Sequence, residues 1–94
     1  MEEPQLGEIY EHFKGRDKQY QIICVTRNCG DPLVKRVIYK QLYEGDKFPS
    51  GTLWDRRLEV FCGDKVFDED KDYGERVFKK GDIVKRFVKV RGGN

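Results

Sequence analysis

The sequence predicts an all-β protein, a small barrel or roll of about five to six short antiparallel strands with one helical or 3₁₀ turn. Three observations carry that expectation. Runs rich in β-branched and aromatic residues recur along the chain, clusters of Gly, Asn, Asp and Pro separate them, and no segment sustains a helical period. Ninety-four residues allow one modest core, so residues 1–94 read as a single domain. Aromatics reach 13%, more apolar bulk than a disordered chain carries.

IYEHFK, residues 9–14, lies between Gly7 and Gly15 and suits a first strand. In KQYQIICVT, residues 18–26, Tyr20, Ile22, Cys24 and Thr26 alternate with Gln21, Ile23 and Val25, as in a largely buried strand. RNCGDP, 27–32, is a turn. VKRVIYKQLY, 34–43, sets Val37, Tyr39, Gln41 and Tyr43 on one side and Ile38, Lys40 and Leu42 on the other, and should pair with 18–26 as a hairpin. EGDKFPSG, 44–51, is loop by composition and leads into TLWDR as a short strand. Leu58 and Phe61 stand three apart, the spacing of one helical turn. A weak strand is expected around Lys65-Val66-Phe67, then an exposed acidic loop at 68–75. Residues 76–90, with Gly81-Asp82 as the turn, read as a terminal hairpin or closing strand, and RGGN as a frayed tail.

Nineteen Lys and Arg against 17 Asp and Glu give a net charge of +2, so no overall field draws the protein to nucleic acid or membrane. No apolar run approaches the about 20 residues that span a bilayer. Cys24, Cys29 and Cys62 form no C-x-x-C pair, and MEEPQLGE lacks the parts of a signal peptide, which points to a reduced cytoplasmic protein. With His12 the cysteines lack zinc-ligand spacing, so no metal and no cofactor is expected. Asp68, Asp70 and Asp72 imitate a calcium loop, but Tyr73 stands where glycine is required and Lys79 where the bidentate glutamate belongs.

Trp54 and Arg56, two apart on a strand, share a face, where the guanidinium can lie over or beside the indole as a charged platform for peptides, bases or carboxylates. The plainer alternative has Trp54 as core and Arg56 in a salt bridge. Tyr10, His12, Tyr39 and Tyr43 form a second group, in which His12 alone titrates near neutrality. Its plainer use is a ring hydrogen-bonded to backbone or carboxylate, and the sole serine, Ser50, is stranded in a loop. The third candidate is the basic stretch after residue 75, with Arg76, Lys79, Lys80, Lys85, Arg86, Lys89 and Arg91 against Asp82 alone. Phe78 and Phe87 interleave with these cations, as on a nucleic-acid surface, although a lysine-protected edge strand explains the same residues.

GEIYEHFKG, the QYQIICVTR strand, VIYKQLY and LWDRRLEVF together resemble the bacterial domain-of-unknown-function family numbered 1653, over residues 7–67. Gly7, Tyr10, His12, Phe13, Lys14, Gly15, Arg27, Tyr39, Leu42, Tyr43, Leu53, Trp54, Arg56, Leu58 and Phe61 carry the likeness. Arg57 stands in place of the family's proline, Asn28 in place of a histidine, and EGDKFPSGT exceeds the usual connection in length. The resemblance implies an SH3-like barrel in a small, mostly bacterial protein, and no established activity. The reading is a non-catalytic, monomeric binding module whose groove of Trp54, Arg56, Tyr10, His12 and Tyr43 takes a peptide or other extended ligand. Nucleic-acid binding through Lys79, Lys80, Lys85, Arg86, Lys89 and Arg91 is the alternative, and an enzyme using His12 ranks last.

Overall fold

A computed structural model gives the fold and describes residues 3–92. Met1, Glu2, Gly93 and Asn94 lie outside it, and with them the ends of the MEEPQLGE and RGGN segments. The elements are β1 (Ile9–His12), β2 (Gln19–Asn28), β3 (Asp31–Gln41), β4 (Leu53–Arg57), α1 (Leu58–Phe61), β5 (Asp64–Val66), β6 (Lys71–Asp72), β7 (Val77–Phe78), β8 (Ile83–Lys85) and β9 (Phe87–Arg91). The fold is mainly β. One five-stranded antiparallel sheet has the order β4-β3-β2-β1-β9, and two ribbons, β5-β8 and β6-β7, stand beside it.

The sheet follows the pattern of the sequence closely, with two differences in the first hairpin. Strands β2 and β3 run on to a tighter turn at Cys29-Gly30, because the Asn28 side chain accepts the backbone N–H groups of Gly30 (2.8 Å) and Asp31 (3.1 Å). Asn28 is thus a turn former. The pairing also slips between Ile22 and Cys24, so that Ile22 faces Tyr39 and Cys24 faces Ile38. One extra residue reverses the alternation: Ile22 is buried while Cys24, expected on the same side, is exposed.

The larger departure lies between residues 64 and 86. Instead of a terminal hairpin, β7 pairs with β6 and β8 with β5, while β9 pairs with β1. The Gly81-Asp82 turn exists, with Gly81 at φ 92° and Asp82 N–H donating to the Lys79 carbonyl at 3.0 Å. Gly81 N–H, however, donates to Phe67 O at 2.7 Å, which returns the chain to β5. The acidic loop is correspondingly part ribbon. Tyr73 within it packs edge-on against Phe13 and Phe78, and Asp70 and Asp72 accept backbone N–H groups of Lys80 and Gly74.

The core is Ile22, Val37, Tyr39, Leu58, Phe61 and Phe87. Four residues of helix have no stability of their own. Leu58 and Phe61 hold α1 down, with Phe61 stacked on Phe87 at 4.2 Å and a burial contribution of roughly 2–3 kcal/mol for such a ring. Gly63 closes the turn, since a Cβ there would stand 2.9 Å from the Glu59 carbonyl oxygen.

Candidate binding site

Antiparallel pairing places opposed residues on the same face of a sheet. Tyr10 opposes Tyr20, Tyr20 opposes Gln41, Ile22 opposes Tyr39, Tyr39 opposes Trp54 and Val37 opposes Arg56. Part of this face is covered by α1 and β9 as core. The remainder opens as a cleft with two connected compartments that share Lys14, Lys18, Tyr20, Tyr43 and Trp54. The outer, about 330 Å³, reaches Phe48 and the acidic Glu44 and Asp46. The inner, about 190 Å³, reaches His12, Tyr39, Arg56 and Phe87.

Trp54 is half-buried and fixed in place. Its indole N–H donates to Gln41 Oε1 at 3.0 Å, and Phe48 meets the ring edge-on at 4.8 Å. Gln41 is buried, and its amide nitrogen donates to the carbonyls of Tyr43 (2.9 Å) and Phe48 (2.8 Å). One side chain therefore ties the tryptophan to the 44–51 loop. Through Phe48 that loop supplies the aromatic wall beside Trp54. Sequence reasoning passed over Gln41, although a lone amide on the apolar side of β3 was the available signal.

Arg56 shares the Trp54 face, as expected, but the ring under its guanidinium is Phe87, at 5.8 Å. Its Nε donates to the Tyr39 hydroxyl at 3.1 Å. The charged platform thus rests on the core phenyl rather than on the indole. Among the described residues Arg56 has no carboxylate partner: the flanking Asp55 binds Arg36 on the other face, and Arg57 pairs with Glu59 at 3.5 Å.

His12 faces the inner compartment, its Nδ1 accepting the backbone N–H of Lys14 at 3.2 Å. Burial, with lesser contributions from Lys14, Arg56 and Arg86, pushes its pKa down to about 3. The ring is neutral at physiological pH, with its proton on Nε2. A base that weak has little drive to accept a proton in catalysis. Tyr20 and Tyr43 share a 2.6 Å hydrogen bond, and burial raises the Tyr20 pKa well above its ordinary value. Lys18 lies 4.8 Å over the Tyr43 ring.

Tyr10 is the one proposed groove residue outside the lining. Its ring packs edge-on against Phe61 at 5.2 Å and its hydroxyl donates to Glu8 at 3.3 Å. The C-terminal cations are dispersed. Lys85 pairs with Asp64 (3.7 Å) and Lys89 with Glu8 (3.1 Å), Arg86 turns inward, and Lys79, Lys80 and Arg91 are exposed. Neither interleaved aromatic is available for bases, since Phe87 is buried and Phe78 stacks on Phe67 at 4.5 Å. Among the described residues no three His, Cys, Asp or Glu side chains gather as a metal site, no cysteine forms a disulfide, and no helix is long and apolar enough to cross a membrane.

The family described as "Protein of unknown function (DUF1653)" matches residues 8–89. The chain belongs to this family. The DUF1653 match runs past the expected limit at residue 67 and takes in the ribbons, Arg86 and Phe87, which the structure packs against the first half of the chain. Of the residues that carried the likeness in the sequence, His12, Lys14, Tyr39, Tyr43, Trp54 and Arg56 converge on one cleft. No curated protein and no solved structure matches the chain.

Proposed function

We propose that the protein is a non-catalytic binding module whose cleft receives an extended peptide. The observation that carries this reading is the continuity of the two compartments, which share Tyr20, Tyr43 and Trp54 and are bordered by a tryptophan and a loop that the Gln41 hydrogen bonds hold in place. The meander β4-β3-β2-β1 with a returning terminal strand supports the SH3-like roll that the family resemblance implies. In this reading the chain acts as one domain, as a monomer in the reducing cytoplasm.

Trp54 emission is the direct probe. Titration with pools of short peptides should shift or quench it saturably, with little change between low and moderate salt, and Trp54→Ala should abolish binding read by amide chemical shifts. The nucleic-acid alternative gives the opposite pattern: an oligonucleotide complex that weakens steeply with salt and survives Trp54→Ala. Emission unmoved by every peptide pool would sink the reading.

A further inference from the structure

The inner compartment is chemically one-sided. Among the described residues its lining holds no carboxylate, while Lys14, Lys18 and Arg56 bring cations to it. Arg56 commits only Nε, to the Tyr39 hydroxyl, which keeps its own proton to donate. His12, accepting at Nδ1, presents a donor at Nε2. Trp54 adds nothing to the count, its N–H being held by Gln41. Arg86 is half-buried outside that lining, and its buried Nε has no hydrogen-bond partner among the described residues. Guanidinium donors are ordinarily satisfied, so Arg56, whose terminal nitrogens face a lining without a carboxylate, calls for an acceptor. Elsewhere the protein supplies one readily: Arg16, Arg36, Arg57 and Arg76 each hold a carboxylate.

We propose that this inner end is an oxyanion seat, in which Arg56 and Lys14, with the Tyr39 hydroxyl, receive a carboxylate or phosphate at the leading end of the ligand. The inference rests on the cleft being a binding site and adds the chemical class of what enters it. A guanidinium fork matches either group in shape and charge, and about 190 Å³ admits one with its first bonded atoms, a water occupying about 30 Å³ of liquid. The outer compartment mixes its charges, with Glu44 and Asp46 beside Lys14, Lys18 and Lys47, so the inner end is the one whose lining favours an anion.

The test uses the full chain, following the Nε–Hε resonances of Arg56 and Arg86 and the ring protons of His12 by NMR while sodium acetate, inorganic phosphate or sodium chloride is added at constant ionic strength. Acetate or phosphate should produce saturable shifts at Arg56 and His12 that chloride does not, with Arg86, outside the lining, responding less. Arg56→Gln should weaken the response by about tenfold or more, and Arg56→Lys, which keeps the charge and the fold but loses the fork, should weaken it less. Shifts that follow ionic strength alike for all three salts, or a response undiminished by both substitutions, would overturn the seat. Saturation by acetate, with peptides bearing a free C-terminal or side-chain carboxylate outcompeting their amidated forms, assigns a carboxylate; saturation by phosphate alone assigns a phosphorylated ligand. The two proposals fail separately. Peptides that quench Trp54 while acetate and phosphate act like chloride leave the module without the seat, and a saturable anion effect with no peptide response leaves the seat without the peptide.

Discussion

Asp55 and Arg56 are neighbours in the chain and point to opposite faces of β4. On the outer face Asp55 is met by Arg36 from β3, an exposed pair of the kind that contributes little. On the inner face Arg56 lies on Phe87 with no carboxylate among the described lining residues, and Arg86 sits near it with an unsatisfied Nε. Arg76 gives the sharper contrast, being partly buried like Arg86 yet fully engaged: it binds Glu11 and reaches the carbonyls of His12 and Phe13 at 3.5 and 3.4 Å. The comparison separates two uses of arginine. Arg76 fastens the β6-β7 ribbon to β1, whereas Arg56 carries its charge into a cleft whose described lining holds no carboxylate.

That contrast can be broken by substitution, most visibly at Arg76. Arg76→Met strands Glu11, whose side chain is only 14% exposed, and should lower stability by about 2 kcal/mol in urea denaturation. Arg86→Met should act in the opposite direction, leaving stability unchanged or raising it by about 1 kcal/mol, because it removes an orphan donor and a like-charge neighbour. Equal losses at Arg76 and Arg86 would show that the two arginines do the same work.

The third expectation concerns pH. The His12 pKa lies below its ordinary 6.5, at about 3, so between these values the unfolded chain binds the proton that the folded one refuses. Its contribution to stability is complete above about pH 6.5 and declines as the pH falls towards 3. Glu8, also held low, chiefly by the Gln5 backbone N–H, weakens folding in acid as well, so the relevant quantity is the difference from His12→Asn, whose stability should fall less between pH 6.5 and 4. Parallel curves for the two proteins would remove His12 from the account.

The smallest effect is expected at Arg57. Its φ of −59° is one proline adopts, and the ladder in which Gln41 donates to Thr52 turns the Arg57 N–H away from β3. Arg57→Pro should therefore stabilise by about 0.5 kcal/mol, the exposed pair with Glu59 offsetting part of the gain. A loss of stability would mean that the N–H is needed.

Alternation along residues 34–43 and 53–57, the Leu58–Phe61 spacing and the loop composition at 44–51 determined the mainly β class, the hairpin, the helical turn and the shared face of Trp54 and Arg56. They could do so because side-chain direction in a strand or a single turn depends on neighbours in the chain. The extra residue at Ile23 was invisible, since a bulge has no composition of its own, and it moved Cys24 outward. The weak strand near residues 65–67, the Gly81-Asp82 turn and a closing strand were legible, but the pairing of the ribbons was not, because strands of two and three residues carry too few alternations to fix a partner. Of the expected groove residues, Trp54, Arg56, His12 and Tyr43 line the cleft, while Tyr10 packs on Phe61, a partner far off in sequence that no local pattern announces. What only the tertiary structure decided is which ring lies under Arg56, that Gln41 holds Trp54, and that Arg86, separated from Arg56 by a whole set of ribbons, approaches it without a counter-ion. Those relations are distances between residues remote in the chain, set by packing, which local patterns do not encode.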